Sequence, residues 1–173
     1  MRIVFVTGMS GAGKRTALKV FEDAGYYCVD NLPVALVMKF VELAASSSGQ
    51  KKDGKAIDNI AMGVDVRSGE TFAGLEAVLD NMTAMNYNYE ILFLEAEDET
   101  LVKRYKETRR NHPLAGDNRI MEGIAREREE ISFLKKRADY IIDTTTLLTR
   151  ELKQEIEKIF VDDENFNNLV VTI

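Results

Sequence analysis

Gly8-Met9-Ser10-Gly11-Ala12-Gly13-Lys14 sets three glycines ahead of a lysine within seven positions. Glycine lets successive backbone N–H groups turn toward one anion, a following helix adds the positive end of its dipole, and a lysine reaches terminal phosphates. The chemistry this spacing points to is the binding of a nucleoside triphosphate. The next position departs from the pattern: such loops carry Ser or Thr there to ligate Mg²⁺, whereas this chain has Arg15 followed by Thr16.

Acidic residues that close apolar runs are the other candidates. Asp30 ends Tyr26-Tyr27-Cys28-Val29, where a carboxylate can orient a phosphoryl acceptor or take its proton, or can simply cap a turn. Asp65 precedes Val66-Arg67-Ser68, so a carboxylate suited to Mg²⁺ or its water stands beside a guanidinium and a hydroxyl; a local ion pair is the other reading. Glu95 ends the most apolar run, where the acid of a second nucleotide motif would sit, but Glu97, Asp98 and Glu99 follow and equally suit an acidic helix start. Arg104, Arg109 and Arg110 lie where a lid could bring planar, always-charged forks over phosphates, or where a charged helix face would meet solvent. His112, the sole histidine, adjoins Pro113 and reads as a loop residue rather than a general base.

The elements that must hold these residues alternate. Ile3–Val6 forms a first strand and residues 14–24 a helix that Gly25 ends. A second strand closes at Asp30, and a helix follows Pro33 with Val34, Val37, Phe40, Val41 and Ala44 at helical spacing. Residues 46–55 form a polar connection, 60–66 a third strand, 72–85 a helix and 91–94 a fourth strand. Leu101, Val102 and Tyr105 mark another helix, Ile120, Ile124, Ile131 and Leu134 recur at helical intervals, 140–143 is a fifth strand, and Leu148–Phe160 an amphipathic helix. Near-continuous apolar strands alternating with helices predict an α/β fold, a doubly wound parallel sheet of about five strands whose ligands bind at the strands' carboxyl ends.

Composition narrows the class. With 173 residues, 45% of them hydrophobic, the chain can bury one sizeable core. A net charge of −6 argues against a broadly basic nucleic-acid surface. One cysteine, Cys28, excludes an internal disulfide and reads as a structural thiol, and no run is long enough to span a membrane, so a cytoplasmic protein is expected.

Several longer stretches resemble the RapZ/YvcJ family of bacterial P-loop proteins. They are Gly8–Lys14, Glu22–Pro33 with its Cys-Val-Asp-Asn-Leu-Pro run, Asp65-Val66-Arg67, Leu92–Ala96, Thr108–Leu114 and Arg137–Thr144. The resemblance implies binding of ATP at Gly8–Arg15, binding of GTP at Asp65–Ser68, and hydrolysis of both. From their positions, Lys14, Asp30 and Asp65 are the expected catalytic residues and Asp65 is the candidate Mg²⁺ ligand. The resemblance further implies that residues 1–160 form the nucleotide-binding domain and that 161–173 lead into a C-terminal half. RNA and an RNase partner belong to that half, and a homo-oligomer stays open. Two alternatives remain: a small-metabolite kinase, suggested by Asp30 and the arginines, and a nucleotide-binding module without catalysis, suggested by Arg15.

Overall fold

In β1 (Arg2–Gly8), Ile3, Val4, Phe5 and Val6 are all buried, because this strand is flanked by a neighbour on each edge and covered on both faces. A computed structural model describes residues 1–47, 57–64, 70–108 and 120–161. In it, β1 continues through the glycine loop into α1 (Lys14–Asp23), followed by β2 (Tyr27–Asp30), α2 (Val34–Ser47), β3 (Asn59–Gly63), α3 (Glu70–Ala84) and β4 (Tyr89–Glu95). Then come α4 (Asp98–Thr108), α5 (Ile120–Glu130), α6 (Ser132–Arg137), β5 (Tyr140–Asp143) and α7 (Thr149–Phe160).

Among the described residues five strands form one sheet in the order β2-β3-β1-β4-β5, every pair parallel. Val6 pairs with Gly63 on one side and with Leu92 on the other, so the ends of β1, β3 and β4 share one carboxyl edge. The expected α/β class and strand number are therefore observed.

Local chemistry explains the element ends. Gly25, at φ +88°, donates to Glu22 O, and Tyr26 N donates to Phe21 O, a left-handed closure that turns the chain out of α1 into β2. The Tyr26 ring then packs edge-on against Phe21, with centroids 5.0 Å apart. Phe160, at the end of α7, meets the same Phe21 ring at 4.9 Å and ties the last helix to the first.

Two boundaries differ from expectation. β3 stops at Gly63 rather than Val66; Asp65 and Val66 lie outside the described residues. The periodic segment from Ile120 to Leu134 is two helices, because the chain breaks at buried Ile131 (φ −94°, ψ 4°) and restarts as α6. Among the described residues, no helix is long and apolar enough to cross a membrane.

Candidate functional site

The loop after β1 owes its path to its glycines. Gly8, Gly11 and Gly13 have φ of +130°, +88° and +108°, conformations that side-chain-bearing residues rarely adopt. Between them the chain is pinned: Met9 N donates to Leu94 O at 3.0 Å, and Ala12 N donates to Met9 O at 3.0 Å. Lys14 opens α1 and curls back, its Nζ donating to Gly8 O at 2.9 Å.

Distant elements hold the rest of the loop. Ser10 donates through its amide (2.9 Å) and its hydroxyl (2.7 Å) to one carboxylate oxygen of Glu127 on α5. Arg104 on α4 donates to Gly11 O at 3.1 Å and to Thr144 O at 2.6 Å. The Thr144 hydroxyl, just past β5, lies 2.8 Å from Ala12 O and donates to it. Met9, Ser10, Ala12, Glu127 and Thr144 are all buried, so water does not compete for the Ser10–Glu127 and Thr144–Ala12 bonds, whereas the Arg104 bond to Gly11 O is exposed.

Arg15 is exposed and Thr16 half-buried. Among the described residues, Arg15 makes neither a hydrogen bond nor an ion pair. Asp30 is exposed at the end of β2, beside Gly63 at the same carboxyl edge as the loop. A Cβ on Gly63 would stand 2.7 Å from Asp30 Oδ1, so the bare glycine leaves room for that carboxylate. Asp65, Val66, Arg67, Ser68, Arg109, Arg110 and His112 lie outside the described residues.

Glu95 ends β4 where a metal-orienting acid would be sought, yet it is committed elsewhere. Arg128 donates to its Oε1 and Lys135 to its Oε2, the latter at 2.8 Å. Burial pushes this carboxyl up, but the hydrogen bonds from Lys135 and Arg128 outweigh it and hold it below the usual carboxylate range. Arg128 also binds Asp98 and Ala96 O, so the acidic start of α4 is stitched to α5. Arg104, a lid candidate from its position, instead braces the loop. Cys28 donates to Leu18 O at 3.4 Å, and burial pushes its thiol up to about 11, which suits a structural role. Among the described residues, no cluster of three or more His, Cys, Asp or Glu is arranged to hold a metal.

A parallel sheet whose central strand passes through a glycine loop and a lysine into a helix defines the P-loop class of α/β folds. Shikimate kinase from Bacteroides thetaiotaomicron has the same fold at TM-score 0.57 and 18% identity, covering 91% of this chain and 97% of that one. Residues 1–164 match the RapZ-like N-terminal domain, and the chain belongs to that family. Nucleotide-binding proteins of Agathobacter rectalis and Lachnoclostridium phytofermentans are each 54% identical over all 173 residues. The chain spans 57% and 59% of the length of these two curated relatives.

Proposed function

We propose that this chain is a nucleotide-binding domain that seats the phosphates of ATP or GTP on Gly8–Thr16 and hydrolyses them slowly. The observation that carries the reading is the alternation of the loop's amides. Met9, Ser10 and Ala12 donate to protein acceptors, whereas the amides of Gly11 and Gly13, both at positive φ, have no acceptor among the described residues. With the N-terminus of α1 and the Lys14 ammonium alongside, they form a cradle for an anion. The relatives' names, nucleotide-binding protein, support the nucleotide-binding part of the reading.

In this reading Lys14 leaves Gly8 O to neutralise the β- and γ-phosphates. Asp30 orients the attacking water at the open carboxyl edge; oxygen attacks the γ-phosphorus, the bond to the β-phosphate oxygen breaks, and the water proton leaves to Asp30 or bulk solvent. Asp65–Ser68 and Arg109–Arg110 supply the second nucleotide contact and the closing charges. Asp65 would be the protein ligand for Mg²⁺, which would supply positive charge at the phosphates, since a guanidinium at position 15 cannot ligate a cation. RNA and an RNase are not proposed as partners of residues 1–160; in the family resemblance they go with a C-terminal half.

Calorimetric titration with ATP, GTP and adenosine tests the reading: both triphosphates should bind, and the nucleoside should not. A folded protein that binds neither triphosphate overturns it. Exposed Asp30 beside Gly63 also suits a phosphoryl acceptor, so single-turnover reactions with γ-labelled ATP belong beside the titration. Label on a metabolite rather than in free phosphate would establish the kinase instead.

Arg15 gives the reading a second consequence. Thr16 cannot stand in for the missing hydroxyl, because one residue along a helix is a turn of about 100° around its axis. Nucleotide binding should therefore depend weakly on Mg²⁺, and Arg15→Ser should both sharpen that dependence and speed hydrolysis. Full Mg²⁺ dependence in the native chain, unchanged by serine, would make Arg15 a tolerated substitution.

A further inference from the structure

Glu127 lies on α5, which contributes no backbone to the loop, yet its side chain is fully buried against the middle of it. One oxygen takes both donors of Ser10, at 2.9 and 2.7 Å. A carboxylate removed from water is tolerated only when its oxygens are satisfied, and its sign repels the phosphates that the loop is proposed to hold. Its contribution to binding therefore runs through geometry rather than attraction.

That geometry is specific. With Ser10 N tied to α5 and Ala12 N to Met9 O, the two intervening and following glycine amides are the ones left over. Arg104 holds the Gly11 carbonyl, the other end of the peptide unit that carries the Ala12 amide, and Thr144 holds the Ala12 carbonyl, the other end of the unit that carries the Gly13 amide. Of these three braces, the Glu127 clasp is the one that engages an N–H group, and it takes the Ser10 amide out of the set available to an anion.

We propose that Glu127 is a positioning residue for phosphate binding: by clasping the amide and hydroxyl of Ser10 it keeps the Gly11 and Gly13 amides turned toward the anion, and it makes nucleotide affinity depend on α5 being docked. This rests on the loop being the nucleotide site. Glutamine keeps an acceptor oxygen in place and removes the charge that opposes phosphate. Alanine removes the acceptor and leaves the Ser10 amide without it.

The test compares Glu127→Ala, Glu127→Gln and Ser10→Ala in the whole chain, by ATP titration and by hydrogen exchange of the nucleotide-free loop. Glu127→Ala should weaken ATP binding about tenfold or more and speed exchange across residues 8–13 while β3 exchanges as in the native protein. Glu127→Gln should bind ATP as tightly as the native chain or more tightly, with native loop exchange. Ser10→Ala, which removes only the hydroxyl bond, should shift both readouts in the direction of Glu127→Ala by a smaller amount, and it carries the test if Glu127→Ala does not fold. Native ATP affinity in folded Glu127→Ala, or equal losses in the Gln and Ala variants, would overturn the proposal, as would native behaviour of Ser10→Ala where Glu127→Ala is unfolded. If the native chain binds no triphosphate, the nucleotide reading fails by itself and loop exchange decides the clasp: faster in Ala and restored in Gln supports it, equal in all three overturns it.

Discussion

Lys14→Ala is expected to weaken ATP or GTP binding by roughly tenfold to a hundredfold, the range of a charge-assisted hydrogen bond of about 1.5–3 kcal/mol. The ammonium lies at the first position of α1 and rests 2.9 Å from Gly8 O, the carbonyl at the opposite end of the loop. From there it can swing onto an anion seated between the two ends, adding a full positive charge that no backbone amide carries. Removing it also removes a side chain that spans the loop, so the measurement needs a thermal melt beside the titration. The native bond is to a neutral carbonyl and only half-buried, so the melt should move by no more than a few degrees. Lys14→Arg should recover part of the affinity at most, because a planar fork does not reproduce a compact ammonium on a flexible four-carbon stem. Unchanged affinity in a folded Lys14→Ala protein would remove the loop from the nucleotide site altogether.

The parts of this site that are legible in the sequence are those whose signals are local. Strand, glycine loop and helix stand within the first twenty-four residues, and the glycines announce their own backbone conformations. Asp30 is legible for the same reason, since it closes an apolar run that had to be a strand. Glu127 is not. It falls on the same helical stripe as Ile124 and Ile131, so a carboxylate among core positions was the available sign, but its partner Ser10 lies 117 residues away. Helical periodicity reports which face is buried and not what a polar residue on that face meets. The same limit applies to Glu95, whose position at a strand end is legible while its commitment to Arg128 and Lys135, on two later helices, is a product of tertiary packing. Arg104 shows how the two readings diverge: its charge and its place after β4 fit a lid, and only the docking of α4 against the loop turns the side chain onto Gly11 O and Thr144.

Gly8→Ala should be far more damaging to stability than any other single change considered, because two independent penalties meet at that residue. Its φ of +130° lies outside the regions open to an L-residue with a side chain. A Cβ built there would also stand 2.1 Å from Leu94 O and 2.6 Å from Leu94 N, main-chain atoms of the neighbouring central strand. Backbone atoms of β4 cannot rotate aside as a side-chain tip would, since Gly8 and Leu94 are register partners between the two central strands and Met9 N donates to that same Leu94 O. The loss should be on the order of 4 kcal/mol or more, a large part of the 5–15 kcal/mol that typically separates folded from unfolded domains. Gly25→Ala is the control. It too has positive φ, at +88°, but nothing lies within 4 Å of its would-be Cβ, so only the left-handed penalty of about 1–2 kcal/mol applies. Urea unfolding of the two variants separates the terms: their difference in free energy measures the close approach of β1 to β4 at the mouth of the loop. Similar midpoints would mean that the strands do not meet there as closely as described, and the loop's starting point, from which the positions of Lys14 and both glycine amides follow, would have to be redrawn.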